Sequence, residues 1–157
     1  DGLLLPRPIR VNASLASLPH ASGWIDRRRE IAGVEARCES LQIQHRSLEQ
    51  PAEELSGGNQ QKVALARLVH LDVDAVLLDE PTRGIDVGSK TEVYRWIGEL
   101  AAAGKGVLVV SSSMQELLGI CDRIQVMHRG KLGASRAVDQ WDEHSLMVRA
   151  VGGEGAA

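Results

Sequence analysis

The chain has 157 residues, enough for one domain or part of one, and its 43% hydrophobic and 25% charged residues are ordinary for a folded chain. A formal net charge of -3 leaves no basic footprint for nucleic acid, and no apolar run approaches the roughly 18 residues that a membrane-spanning helix needs. Cys38 and Cys121 are the two cysteines; they have neither disulfide-framework nor zinc spacing and read as reduced thiols of a cytosolic protein.

Residues 1–22 carry Pro6, Pro8 and Pro19 and read as extended or irregular. Gly2-Leu3-Leu4-Leu5-Pro6 reads as the interior of a longer sequence. From Trp24 to about Leu41 the spacing of Ile31, Val34, Cys38 and Leu41 predicts a helix, with Arg27, Arg28, Arg29, Glu30 and Glu35 on its other face. Ser47 to Leu55, with Pro51, reads as a loop.

Ser56 suits a helix N-cap, and the helix after it, to about His70, is apolar nearly all round and should be largely buried. Ala75 to Asp79 is a continuous apolar strand of the kind buried on both faces of a parallel sheet. Pro81 to Asp86 is a loop. The next helix, about Ser89 to Ala103, carries the stripe Val93, Trp96, Ile97 and Leu100 and ends at Gly104 and Gly106.

Val107 to Ser111 is the next strand, Met114 to Cys121 a short helix, and Ile124 to Met127 a further strand before an Arg129-Gly130 turn. Asp142 can cap a last helix reaching about Val151, and Gly152 to Ala157 should form a disordered tail. The alternation of strands and helices from Ala75 to Met127 predicts an α/β architecture with a parallel sheet.

Two stretches carry chemistry. In Leu55-Ser56-Gly57-Gly58-Asn59-Gln60-Gln61-Lys62, two glycines let a backbone approach a ligand closely at a helix start. The first helical N–H groups have no intrahelical acceptor and lie at the positive end of the dipole, so they suit phosphate oxygens, with the Ser56 hydroxyl as an extra donor. Ser-Gly-Gly alone is more often an ordinary cap with a glycine hinge.

The second stretch is Ala75-Val76-Leu77-Leu78-Asp79-Glu80-Pro81. Open parallel sheets place ligands at the carboxyl ends of their strands. There Asp79 can hold magnesium through water, and Glu80 can orient or deprotonate an attacking water. Two solvated acids before a proline turn are the plain alternative. The sequence contains no phosphate-cradling Gly-x-x-x-x-Gly-Lys-Ser/Thr loop.

Together these stretches resemble a known family. Leu55 to Lys62 is similar to the signature motif of ABC-type ATPases, and Ala75 to Pro81 to their Walker B strand with its following glutamate. Thr82-Arg83-Gly84-Ile85-Asp86 resembles the loop that comes next, and Ser111 to Ile124 the switch region and its helix. The variant Ser-Gly-Gly-Asn-Gln-Gln-Lys, followed by Glu-Pro-Thr-Arg-Gly-Ile-Asp-Val-Gly, resembles the second nucleotide-binding half of bacterial monosaccharide importers of the ribose, xylose and galactose type. The chain would then be an N-terminally truncated, C-terminal piece of such a subunit.

The resemblance implies an α/β fold, the C-terminal part of an ABC-type ATPase domain. Residues 1–70 would form a helical signature subdomain with an irregular start, 71–151 a RecA-like portion with a parallel sheet, and 152–157 a tail. It implies ATP and magnesium as ligands. Ser56, Gly57, Gly58 and Asn59 would meet the γ-phosphate of a nucleotide held by a partner nucleotide-binding half. Asp79 would bind magnesium through water, Glu80 would polarise the attacking water, and Asp86 would couple the two sites across the interface. Further partners would be a transmembrane permease and, indirectly, a periplasmic sugar-binding protein, with no nucleic acid. The setting would be the cytoplasmic face of the bacterial inner membrane.

Two departures stand against that pattern. The Walker A loop is missing, so the chain alone is expected to be inactive. Ser112 also stands where many members carry a switch histidine, as it does in the sugar-importer second half. His20, His45, His70, His128 and His144 are scattered and read as structural or surface residues. Besides the importer ATPase, two readings stay open: a non-catalytic remnant or regulatory partner that supplies a signature helix to another half, and a nucleic-acid-associated ABC ATPase.

Overall fold

The structure is a computed structural model that describes residues 2–21, 23–68 and 73–153. The chain divides into two compact units, residues 1–76 with 81–107 and residues 77–80 with 108–157.

The first unit opens with a helix where prolines predicted irregular chain. Helix α1 (Ile9–Ser14) follows directly on Pro8. Pro6 and Pro8 precede the helix and Pro19 follows it, so none interrupts it, and Ile9 and Ala13, one turn apart, are both fully buried against the neighbouring helices. Burial on that scale contributes about 1.5–3 kcal/mol for an Ile side chain, which sustains a helix too short to persist alone. A small antiparallel hairpin follows, β1 (His20–Ala21) with β2 (Trp24–Ile25).

Helix α2 (Arg27–Ser40) starts three residues later than the apolar spacing predicts, because Asp26 caps it through the Arg29 N–H at 3.1 Å. Trp24 lies outside the helix and is 82% exposed. Val34, Cys38 and Leu41 are buried as expected, whereas Ile31 is exposed. Glu30, assigned to the polar face, is instead buried. Its carboxylate accepts from Arg10 Nη1 and Ser14 Oγ, both at 2.8 Å. Within the expected loop, Ala52–Glu54 forms a 3-10 turn.

Ser56 caps helix α3 (Gly57–Ala66), whose Val63, Leu65 and Ala66 are buried. The expected end of this helix near His70 lies outside the described residues. Strand β3 (Ala75–Asp79) pairs with β4 (Gly106–Val110). Gly106 N–H donates to the Asp74 carbonyl and Glu80 N–H to the Val110 carbonyl, each at 2.8 Å, so the strands run parallel. The expectation that β3 is buried on both faces is corrected. Val76 and Leu78 are buried, but Leu77 is 73% exposed, and Leu108 and Val110 on β4 are exposed too. Successive strand residues face opposite sides, and only one side is covered.

Helix α4 (Val87–Ala102) carries the predicted stripe, with Val93, Trp96 and Ile97 buried, and Gly104 turns the chain out of it at φ +80°. In the second unit, Ser113 caps α5 (Met114–Ile120). The single strand expected over Ile124–Met127 is two separate pieces: β5 (Arg123–Ile124), and β6 (Met127–His128), which forms a hairpin with β7 (Lys131–Leu132) through Arg129-Gly130. β5 pairs antiparallel with β8 (Arg136–Ala137), so it does not extend the β3–β4 pair as the alternation predicted. Asp142 caps α6 (Glu143–Ala150) in a reciprocal capping box with Ser145. Residues 154–157 of the expected tail lie outside the described residues.

Candidate functional site

In the first unit the signature stretch forms the start of α3. Ser56 is exposed, and its Oγ accepts from Asn59 twice: from the backbone N–H at 3.4 Å and from Nδ2 at 3.0 Å. Asn59 Oδ1 accepts the Gln44 backbone N–H at 2.8 Å. Only a carbonyl oxygen can face that N–H, so the orientation of the carboxamide is chemically fixed. The amides of Gly57 and Gly58 have no acceptor among the described residues. One hydroxyl and two amides therefore stand ready as donors where the helix dipole is positive.

The other motif residues hold this start in place. Gln60 Nε2 donates to the Leu55 carbonyl at 3.0 Å, and Gln61 Nε2 to the Pro81 carbonyl at 2.9 Å. Lys62 is buried, ion-pairs with Glu92 of α4 and reaches the carbonyl of Gln42. Sequence reasoning missed Gln44, Lys62 and Glu92. A lysine amid the apolar run of α3 was the available signal, since a buried ammonium calls for an acidic partner.

Asp86 caps α4. Its Oδ1 accepts the Ser89 N–H at 3.0 Å and its Oδ2 the Ser89 hydroxyl at 2.8 Å; these two bonds hold the carboxyl below its ordinary range. This cap abuts α3. A Cβ built on Gly58 would lie 3.2 Å from Ser89 Oγ and 3.3 Å from Asp86 Oδ2, so the glycine is required by close approach. The structure thus brings Ser56, Gly57, Gly58, Asn59 and Asp86 together within one unit.

Asp79 and Glu80 belong to the second unit. Asp79 is exposed at the end of β3, and its carboxylate has no hydrogen bond or ion pair among the described residues. Glu80 adopts φ +47°, a left-handed conformation that costs a non-glycine residue about 1–3 kcal/mol. Its N–H is tied to Val110, and its Oε1 accepts the Ser112 backbone N–H at 2.9 Å. The serine cluster is thereby divided by role. Ser112 meets Glu80 through its backbone, Ser111 Oγ accepts from Ser113 N–H at 3.0 Å, and Ser113 caps α5.

The donor set suits magnesium. That ion takes one or two carboxylates and fills its remaining positions with phosphate and water. Asp79, an exposed carboxylate at the end of β3, fits this mode of binding.

The ABC transporter family description matches residues 6–83. The chain belongs to the ABC transporter family. It is 44% identical over 149 residues to the ribose import ATP-binding protein RbsA 3 of Rhizobium meliloti, covering 93% of this chain and 30% of that protein. It is 43% identical over 149 residues to the L-arabinose transport ATP-binding protein AraG of Geobacillus stearothermophilus, covering 94% of this chain and 29% of that one. The chain therefore spans about a third of the length of the curated relatives it matches.

Among solved structures, the dimeric bacterial ABC transporter cassette MJ0796 superposes with a TM-score of 0.73 at 22% identity, over 87% of this chain and 59% of that one. A nucleotide-free ATP-binding cassette from an ABC transporter gives 0.70 at 22% identity, over 85% and 56%. The fold is α/β, that of part of an ABC ATPase cassette. No helix among the described residues is long and apolar enough to cross a membrane.

Proposed function

We propose that this chain is the signature-bearing part of the ATPase that powers a sugar importer. It closes on an ATP molecule held by a partner nucleotide-binding half. The observation that carries this reading is the start of α3, where the Ser56 hydroxyl and the Gly57 and Gly58 amides are donors without acceptors at the positive end of a helix. The relatives named for ribose and L-arabinose transport supply the substrate class.

In this reading Ser56, Gly57 and Gly58 bind the terminal phosphate presented by the partner, and Asn59 supports them. Asp86, at the N-cap of α4 and packed against Gly58, carries the state of one site to the other. Glu80 orients the attacking water. Its strained backbone, pinned by Val110 and Ser112, fixes where the carboxylate points, in keeping with phosphoryl transfer as a matter of positioning and charge stabilisation. Asp79 is the residue that would hold magnesium, through water, and the ion when bound would offset the charge of the phosphates. Residues 1–70 would act as the signature subdomain and 71–151 as the RecA-like portion. The assembly would comprise the partner half, a permease and an external sugar-binding protein, with this chain peripheral on the cytoplasmic side.

These 157 residues contain no phosphate-cradling loop, so the purified chain is expected to show no ATP turnover above background. ATP turnover of the chain and of its Glu80→Gln variant tests this. Robust turnover by the chain, abolished in Glu80→Gln, would overturn the claim that it completes another half's site.

A further inference from the structure

We propose that Asn59 is a positioning residue that makes the Ser56 hydroxyl an obligate donor. This rests on the reading of Ser56 as a phosphate ligand. A serine hydroxyl has two acceptor lone pairs and one proton. Asn59 fills both lone pairs, from its backbone N–H at 3.4 Å and from Nδ2 at 3.0 Å. The proton is the only capacity left, and it turns away from Asn59 towards the open face of the helix start.

The carboxamide cannot swing away freely. Its oxygen is anchored on the Gln44 backbone N–H at 2.8 Å, in the chain segment that follows α2. The same segment is held from a second point, where Lys62 reaches the Gln42 carbonyl. Gln42 itself sits at φ 50°, so this stretch has a defined bend rather than a free course. A side chain of this length spans from Gln44 to Ser56; a glutamine, one methylene longer, has to displace one of the two contacts. The structure thus explains what an asparagine does at this position.

The test is a double-mutant cycle in an intact two-half ATPase that carries these 157 residues. Asn59→Leu is of similar volume, uncharged and unable to make either bond. Leucine keeps the backbone N–H that caps Ser56 but loses the Nδ2 bond, which opens one of the two lone pairs; the proton then has two positions instead of one, so kcat should fall about twofold. The KM for ATP should move less than about twofold, because the partner's phosphate loop provides most of the grip. Ser56→Ala should lower kcat about tenfold or more, the usual effect of removing a hydrogen bond to a charged group. In the Ser56→Ala background, Asn59→Leu should cost nothing further.

A second measurement uses the chain as it stands. Gln44 is exposed, so the protection of its amide against hydrogen exchange should depend on Asn59. Asn59→Leu should accelerate that exchange, Asn59→Asp, which keeps an acceptor oxygen, should preserve it, and Ser56→Ala should leave it unchanged. Equal kcat losses from Asn59→Leu with and without Ser56 would overturn the proposal while leaving the signature reading intact. A Ser56→Ala protein with full turnover would overturn the signature reading and this one with it. Gln44 exchange indifferent to Asn59→Leu would remove the anchor and the proposal.

Discussion

Replacing Gly58 with alanine sets two effects of opposite sign against each other. Gly58 lies in the first turn of α3, where alanine is favoured over glycine by up to about 1 kcal/mol. The new methyl, however, would sit 3.2 Å from Ser89 Oγ and 3.3 Å from Asp86 Oδ2, inside ordinary van der Waals distance. Neither neighbour is free to move. Ser89 Oγ donates to Asp86 Oδ2 at 2.8 Å, and Asp86 Oδ1 holds the Ser89 N–H at 3.0 Å as the cap of α4. Relief of the clash costs the cap, about 1 kcal/mol, or overpacking strain of about 1–3 kcal/mol. Strain of about 2 kcal/mol less a propensity gain of about 1 kcal/mol leaves Gly58→Ala destabilised by about 1 kcal/mol. Urea unfolding followed by the fluorescence of the buried Trp96 measures it. In a Ser89→Ala background the nearest obstacle is gone, and the same substitution should become neutral or stabilising. A Gly58→Ala chain more stable than the parent in the presence of Ser89 would refute the claim that close packing dictates this glycine.

The buried ion pair of the first unit gives two further predictions. Glu30 and Arg10 side chains are 2% and 5% exposed; Glu30→Ala removes the bonds from Arg10 and Ser14 but leaves Arg10 paired with Glu49, so it should cost about 1.5–3 kcal/mol in urea unfolding. Burial pushes the Glu30 carboxyl up, but the Ser14 hydroxyl and the Arg10 guanidinium outweigh it and hold the group below its ordinary value. A carboxyl depressed in the folded state contributes stability above its unfolded value, about 4.3, and that contribution is lost as pH falls through the lower folded value. The urea midpoint should therefore drop on acidification below about pH 4, with a shallower drop in Glu30→Gln than in the parent. Equal slopes in the two proteins would remove Glu30 from the acid response.

What could be read from the sequence follows from the range of the interactions involved. The caps at Ser56 and Asp142 and the stripe of α4 are local, and their residues carry the signal within a few positions. So do the carboxylates at the end of β3, legible because a strand pattern runs directly into them. Helix α1 was hidden because its support is tertiary: Ile9 and Ala13 bury against helices far along the chain, while the neighbouring prolines suggested irregularity. Glu30 looked like a surface acid because nothing near it in sequence announces Arg10 and Ser14. The break between β5 and β6 depends on which strands they meet, β8 and β7, and periodicity does not encode that choice. At the site, Ser56 was legible from its motif, but its link through Asn59 to Gln44 joins positions fifteen residues apart and becomes visible only once the chain is folded.

The central claim is that α3 completes a nucleotide site on another half. The most direct measurement is ATP turnover at the partner's site in an intact two-half ATPase carrying this chain with Ser56 or with Ser56→Arg. An arginine at the helix start would bring its bulk and its own charge against the bare amides of Gly57 and Gly58. Turnover at the partner's site should fall to background while nucleotide binding there persists. Unchanged turnover in Ser56→Arg would contradict the account.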